Sequence, residues 1–240
     1  MTYRLIVRLA PLVLAMLVAS TTCAAGGASD SKPLTAQETN DVTAEAQMRV
    51  DDAIPVVGKM KAEAAVNELL GKAKGVVIVP HYVQAALVFG GKSGAGVLLV
   101  RRNQTWSSPV FYKIGGGTFG AQIGGTKGAL VMLLMSDKAI DAFVNKASTW
   151  SLSAGAGLNA VNYSKQTPQS QTLSDVVVWS DTKGLFGGAA VGASKVTRDT
   201  TVNQVYYNNR DVTVQQILDA TVTNPNAKSL IAVMPPPSKN

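Results

Sequence analysis

Residues 74–102 read KGVVIVPHYVQAALVFGGKSGAGVLLVRR. Gly75 to Val79 is a β-branched run, and Ala85 to Phe89 and Val97 to Val100 are apolar segments of the same kind. Between them Gly90, Gly91, Lys92, Ser93 and Gly94 read as a glycine-rich turn joining two strands. Turns this short connect antiparallel neighbours, because parallel strands need a crossover of a dozen residues or more. Downstream, Trp106 to Ile114 is predicted to be a strand in which Pro109 marks an edge or bulge, and Thr118 to Ile123 and Ala129 to Met135 continue the sheet. Ser136 then caps a short helix with Asp137 in its first turn and Ile140 and Phe143 on one face. Strand patterns return at Trp150–Leu158, Val176–Trp179, Leu185–Val191 and Val202–Tyr207, before a last helix over Val214–Ala220. Upstream, helical signals begin near Asn40, Pro55 is expected to interrupt them, and a second helix covers Val57–Leu70 with Gly71 as its stop. The fold class predicted is α+β: a mostly antiparallel, glycine-rich β-sheet with N-terminal helices and a short helix inserted mid-chain.

The N-terminus carries Arg4 and Arg8, then an apolar stretch from Leu9 to Val18, then the small and hydroxyl residues Ala19 to Ala25. That order is the signature of an export signal, and the apolar run is too short to span a bilayer core. The expected organisation is a signal over 1–23, a flexible tether over 24–40, one domain over 41–222 and a tail over 223–240 marked by Pro235, Pro236 and Pro237. Cys23 is the only cysteine, so an exported chain of this kind has no disulfide and relies on its core. Two readings of Cys23 stand: a lipidated first residue of a lipoprotein, or ordinary cleavage near Ala24 or Ala25. Both place the protein outside the cytoplasm, in the periplasm or at the outer membrane.

Charge is uneven along the chain. The formal net charge is +7, yet residues 69–136 contain no Asp or Glu and hold Lys72, Lys74, Lys92, Arg101, Arg102, Lys113 and Lys127. A long acid-free stretch gives part of the surface a positive potential, suited to phospholipid headgroups or another polyanion, and export argues against nucleic acid. These seven residues are the candidate lipid- or anion-binding set.

Catalytic patterns are missing. Gly91-Lys92-Ser93 ends like a phosphate loop, but Ala86 stands where that motif needs its first glycine, and a strand follows where a helix is required. Gly115, Gly117 and Gly120 spell G-x-G-x-x-G without the strand–turn–helix context of a dinucleotide site. His81 is the only histidine, which removes histidine metal clusters, and no G-x-S-x-G occurs. No enzyme, cofactor or metal is expected. The run Gly187, Gly188, Ala189, Ala190, Gly192 and Ala193 suits close packing of layers or an acyl-chain groove.

Six blocks, taken in order, carry a resemblance. They are KGVVIVP (74–80), FGGKSGAGVLLVR (89–101), WSSPVFYKIGGGTFGAQIGG (106–125), VMLLMSDKAID (131–141), KGLFGGAAVGASKV (183–196) and NQVYYNNRDVTVQQIL (203–218). Together they resemble the SYLF domain family over Val57–Ala220. The resemblance implies phospholipid binding without catalysis, with phosphoinositides as the eukaryotic ligands, and actin bundling in some eukaryotic members. Actin is a partner that an exported bacterial protein does not meet in its own cell. The function expected is non-enzymatic binding of phospholipid or an anionic membrane surface by a cell-envelope protein. The alternative is a structural protein of the envelope that binds lipopolysaccharide or a protein partner through the same basic face.

Overall fold

The computed structural model describes residues 33–86, 89–119, 124–146, 148–152, 157–163, 174–182 and 194–238. Helix α1 (Ala36–Ala62) opens with a capping box, in which the Thr35 hydroxyl accepts from Glu38 N and the Glu38 side chain accepts from Thr35 N. It therefore starts inside the stretch expected to be a tether. Pro55, expected to break the helix, lies on its exposed side and does not end it. Ala53, Val56, Val57 and Met60 are buried around it, and this packing offsets the roughly 3 kcal/mol that an interior proline costs. The break comes instead at Glu63, whose backbone is extended, and α2 (Ala64–Lys72) follows.

The strands are β1 (Gly75–Ala86), β2 (Phe89–Arg102), β3 (Thr105–Trp106), β4 (Val110–Phe119), β5 (Gly124–Leu134), β6 (Thr149–Ser151), β7 (Ala160–Asn162), β8 (Val176–Ser180) and β9 (Lys195–Arg198). They form one sheet in the order β6-β9-β4-β2-β1-β5-β8-β7, with β3 paired to β2. Every pairing is antiparallel except β7–β8. The α+β class with a mostly antiparallel sheet is the architecture found.

The glycine-rich stretch is not the turn it was expected to be. β1 and β2 meet across Ala86 and Gly90, and Gly90 to Gly94 lie within β2, paired on one side to β1 and on the other to β4. Glycine faces glycine here: Gly91 pairs with Gly117, and Lys92 and Ser93 pair with Gly116 and Gly115. At Gly96 a Cβ would fall far inside contact with the Ile78 carbonyl, so the β1–β2 approach at this point requires glycine. β1 carries one extra residue against both neighbours between Ile78 and Val83, a bulge that holds Pro80 and His81. Proline has no N–H to give the ladder, which suits that position.

Both faces of the sheet centre are covered. Val76 to Val79, Val97 to Leu99 and Leu130 to Leu134 are wholly buried. On one face α1 packs, joined by α4 (Thr200–Tyr206), where Phe111 meets Tyr206 edge-on. On the other lies α3 (Asp137–Asn145), capped by Ser136 as predicted, with Phe143 wedged edge-on between Tyr112 and Trp150. The segment expected as a strand over Val202–Tyr207 is largely α4. Val202, Asn203 and Tyr206 are its buried side, and the Asn203 amide bonds both backbone groups of Phe111. Helix α5 (Val214–Leu218) matches the predicted last helix but is followed by a 3₁₀ turn and α6 (Lys228–Val233). The tail expected over 223–240 is thus packed through Ser238: Ala227, Leu230 and Met234 are buried against the core. The small-residue run 187–193 and the strand expected over 185–191 lie outside the described residues, as do the signal expected over 1–23, with Cys23, and the expected tether through residue 32.

Candidate functional site

At one end of the sheet, β2 and β3 close a two-residue hairpin. Arg101 pairs with Trp106 and Arg102 with Thr105, and the turn residues Asn103 and Gln104 both have positive φ (47° and 66°). Paired left-handed residues are the signature of the tight hairpin turn whose twist matches the flanking strands. The hairpin brings the two arginines beside the C-terminal end of α2. Arg101 Nε and Nη2 donate to the carbonyls of Ala73 and Leu70, each at 3.3 Å, and so cap that helix end. Its guanidinium lies 4.3 Å from the centre of the Trp106 ring, a cation–π contact.

Arg101 Nη1 is buried and has no acceptor. Burial works against the charge of this group and draws its pKa below the ordinary arginine value. A buried donor left unsatisfied costs about 1–3 kcal/mol, and more on a charged group.

A surface pocket of about 370 Å³ opens beside this group, lined by Gly71 to Lys74, Val100 to Arg102, Asp137, Ile140, Pro237 and Ser238. Four of the seven predicted basic residues meet there: Lys72, Lys74, Arg101 and Arg102. Lys72 is paired with Glu68 and Lys74 with Asp137, so among the described residues the two arginines carry the charge that no carboxylate answers.

The other three lie elsewhere. Lys92 sits nine residues up β2, about 30 Å away at strand rise, and is only 5% exposed. It lies opposite Gln84 on β1, and burial lowers its pKa. Lys113 is on β4, where its ammonium is 3.0 Å from Asp199. Lys127 is exposed on β5, opposite Val83. The seven residues therefore do not make one face. Sequence reasoning missed Trp106, Asp137 and the docked Pro237 and Ser238; the Asn103-Gln104 dipeptide at the hairpin was the one local signal that could have brought Trp106 back beside Arg101.

Among the described residues, no group of three or more His, Cys, Asp or Glu could hold a metal ion, and no helix is long and apolar enough to cross a membrane. His81 is exposed, with Nε2 2.9 Å from Asp52 of α1.

Residues 115–235 match the family model Ysc84, described as a Las17-binding protein and actin regulator. The chain is 31% identical over 164 residues to the SH3 domain-containing protein PJ696.02 of Schizosaccharomyces pombe, covering 66% of this chain and 38% of that protein. It is 28% identical over 165 residues to protein YSC84 of Saccharomyces cerevisiae, covering 66% and 35%. With the SH3 domain-containing YSC84-like protein 1 of Bos taurus it shares 26% over 171 residues, covering 69% and 49%. The chain thus spans between about a third and a half of the length of these relatives. No solved structure matches. The family model begins within β4 and ends at Pro235, so it takes in β5 to β9 and helices α3 to α6 but not α1 or α2, and on these grounds the chain belongs to the Ysc84 family, whose shared module is the SYLF domain.

Proposed function

We propose that this protein is a non-enzymatic binding module for anionic phospholipid surfaces, exported to the cell envelope, and that the pocket formed by Lys72, Lys74, Arg101 and Arg102 takes the headgroup. The observation that carries this reading is the meeting of Lys72, Lys74, Arg101 and Arg102 in one pocket, where among the described residues neither arginine is paired with a carboxylate. A basic side chain near an anionic leaflet contributes about 1 kcal/mol, so Arg101 and Arg102 supply a weak, salt-sensitive attraction that the pocket makes specific. The match to a family described as binding proteins supports a binding role. The envelope location rests on the leader sequence, and acylation of Cys23 would hold the module at the membrane it binds.

Vesicle co-sedimentation tests the reading. Vesicles containing phosphatidylglycerol should pull down the protein at low salt and release it at high salt, while pure phosphatidylcholine should not. Equal, salt-insensitive binding to both would replace it with an apolar mechanism.

A further inference from the structure

The segment Met234–Ser238, MPPPS, lies across the rim of the basic pocket. Trp106 Nε1 donates to the Pro235 carbonyl at 2.8 Å. The Ser238 N–H donates to the Gly71 carbonyl at 3.1 Å, and Lys61 Nζ donates to the Val233 carbonyl at 3.1 Å. Met234 and Pro235 are buried, whereas Pro236 is exposed. The seat is shaped for the segment: a Cβ at Gly71 would overlap the Ser238 hydroxyl.

These contacts sit on both sides of the functional residues. Trp106 is the ring stacked on Arg101, and Gly71 lies in the last turn of α2, next to Lys72. Pro237 and Ser238 are themselves pocket wall. Three successive prolines are already restricted to extended backbone, so little conformational freedom is lost when the segment docks. The bond from Trp106 to Pro235 is buried and anchors the segment, whereas Pro237 and Ser238 are half-buried and held, among the described residues, by a single bond, which makes opening at the Ser238 end far easier than global unfolding.

We propose that Pro235–Ser238 is a latch whose docking completes the pocket, so that headgroup binding and latch docking strengthen one another; this rests on the headgroup reading of the pocket given above. Coupling of this kind is reciprocal: whatever the docked segment adds to anion affinity, the anion returns as tighter docking.

The test uses the full chain, a variant ending at Met234, and Ser238→Pro, which removes the donor to Gly71 and leaves Trp106 and Arg101 untouched. Vesicles of phosphatidylglycerol in phosphatidylcholine should slow hydrogen exchange of the Ser238 amide in the full chain. The shortened chain should bind them more weakly, on the order of five- to tenfold, with Ser238→Pro part of the way there. Equal or tighter binding by both variants, with Ser238 exchange unmoved by vesicles, would overturn the latch. If Arg101→Gln abolishes binding in the same assay while both latch variants bind as wild type, the headgroup reading stands and the latch alone falls. A full chain that ignores anionic vesicles overturns both. Should the shortened chain fail to fold, Ser238→Pro and the exchange measurement decide.

Discussion

Arg49 of α1 donates from Nη1 to Oδ2 of Asp199 at 2.8 Å, across 150 residues of chain, and both side chains are over nine-tenths buried. The same Asp199 oxygen is 3.0 Å from Lys113 of β4, and Glu45 completes the group from the other side of Arg49. This network fastens α1 to the sheet. Removing one member of a buried pair leaves the other charged and unpaired, which costs about 3–5 kcal/mol. Asp199→Ala leaves Arg49 with the half-exposed Glu45 and should lower unfolding stability by up to about that amount in urea titration. Lys113 is more than half exposed, so Lys113→Ala should cost under about 1 kcal/mol. Similar losses for the two variants would mean that the buried pair is not the fastening.

The split among the basic residues predicts a split in binding. Arg101→Gln with Arg102→Gln should weaken binding to anionic vesicles by about tenfold at low salt, and the difference should shrink as salt rises. Lys92→Gln should leave vesicle binding unchanged, because Lys92 is buried in the sheet and remote from the pocket. Loss of binding in Lys92→Gln with its fold intact would move the site to the other end of β2.

Asp181 should contribute to acid sensitivity, as should Asp175, whose carboxyl is likewise held below its ordinary value. Burial pushes the Asp181 carboxyl up, but the hydrogen bond from Lys59 at 2.6 Å, the Ala129 N–H at 2.8 Å and the Thr182 hydroxyl together hold it below the ordinary 3.8. A lowered folded pKa means that the stabilisation is complete above the ordinary value and is lost as pH falls through the folded one. Between about pH 4 and the lowered value, stability should therefore decline with a slope to which Asp181 contributes. Asp181→Asn should flatten that part of the curve in chemical denaturation at stepped pH. An unchanged slope would assign the acid sensitivity to other carboxylates.

Two glycines five residues apart on β2 should respond in opposite ways. Gly96→Ala forces a methyl into the Ile78 carbonyl and the backbone of Val79, and should destabilise by about 1–3 kcal/mol. At Gly91 a Cβ meets nothing within 4 Å, so Gly91→Ala should be neutral or slightly stabilising. Thermal melts of both variants check the pair; equal losses would show that the glycine ribbon is needed throughout rather than at its crowded point.

Local signals were the legible ones. The Ser136 cap and the apolar face of α3 stand within a few residues of each other, and so do the β-branched runs of β1 and the end of β2. The glycine stretch over 90–94 misled because close-packed strands and turns draw on the same residue. α4 misled because a seven-residue run such as TTVNQVY is too short for its period to separate helix from strand. Lys72, Lys74, Arg101 and Arg102 were visible as an acid-free run, but which of the seven cations meet depends on strand length. An extended segment carries Lys92 away from Arg101 even though they are close in sequence. Nothing local announces that Pro235 and Ser238 return to Trp106 and Gly71, since those contacts close only once the sheet and α2 are in place.

The strand order has a consequence for how the chain folds. β4 and β5 follow one another in sequence, yet β2 and β1 stand between them in the sheet. The tempting local hairpin between β4 and β5 is therefore the wrong one. β1 and β2 zip up from Ala86 and Gly90 with little loop to close, whereas β4 and β5 must each wait for that hairpin and then add to its opposite edges. A chain that closes the β1–β2 hairpin first has both of its long edges bare until β4 and β5 arrive. During that interval it is open to capture by another copy, and speed in recruiting β4 and β5 is its protection against aggregation.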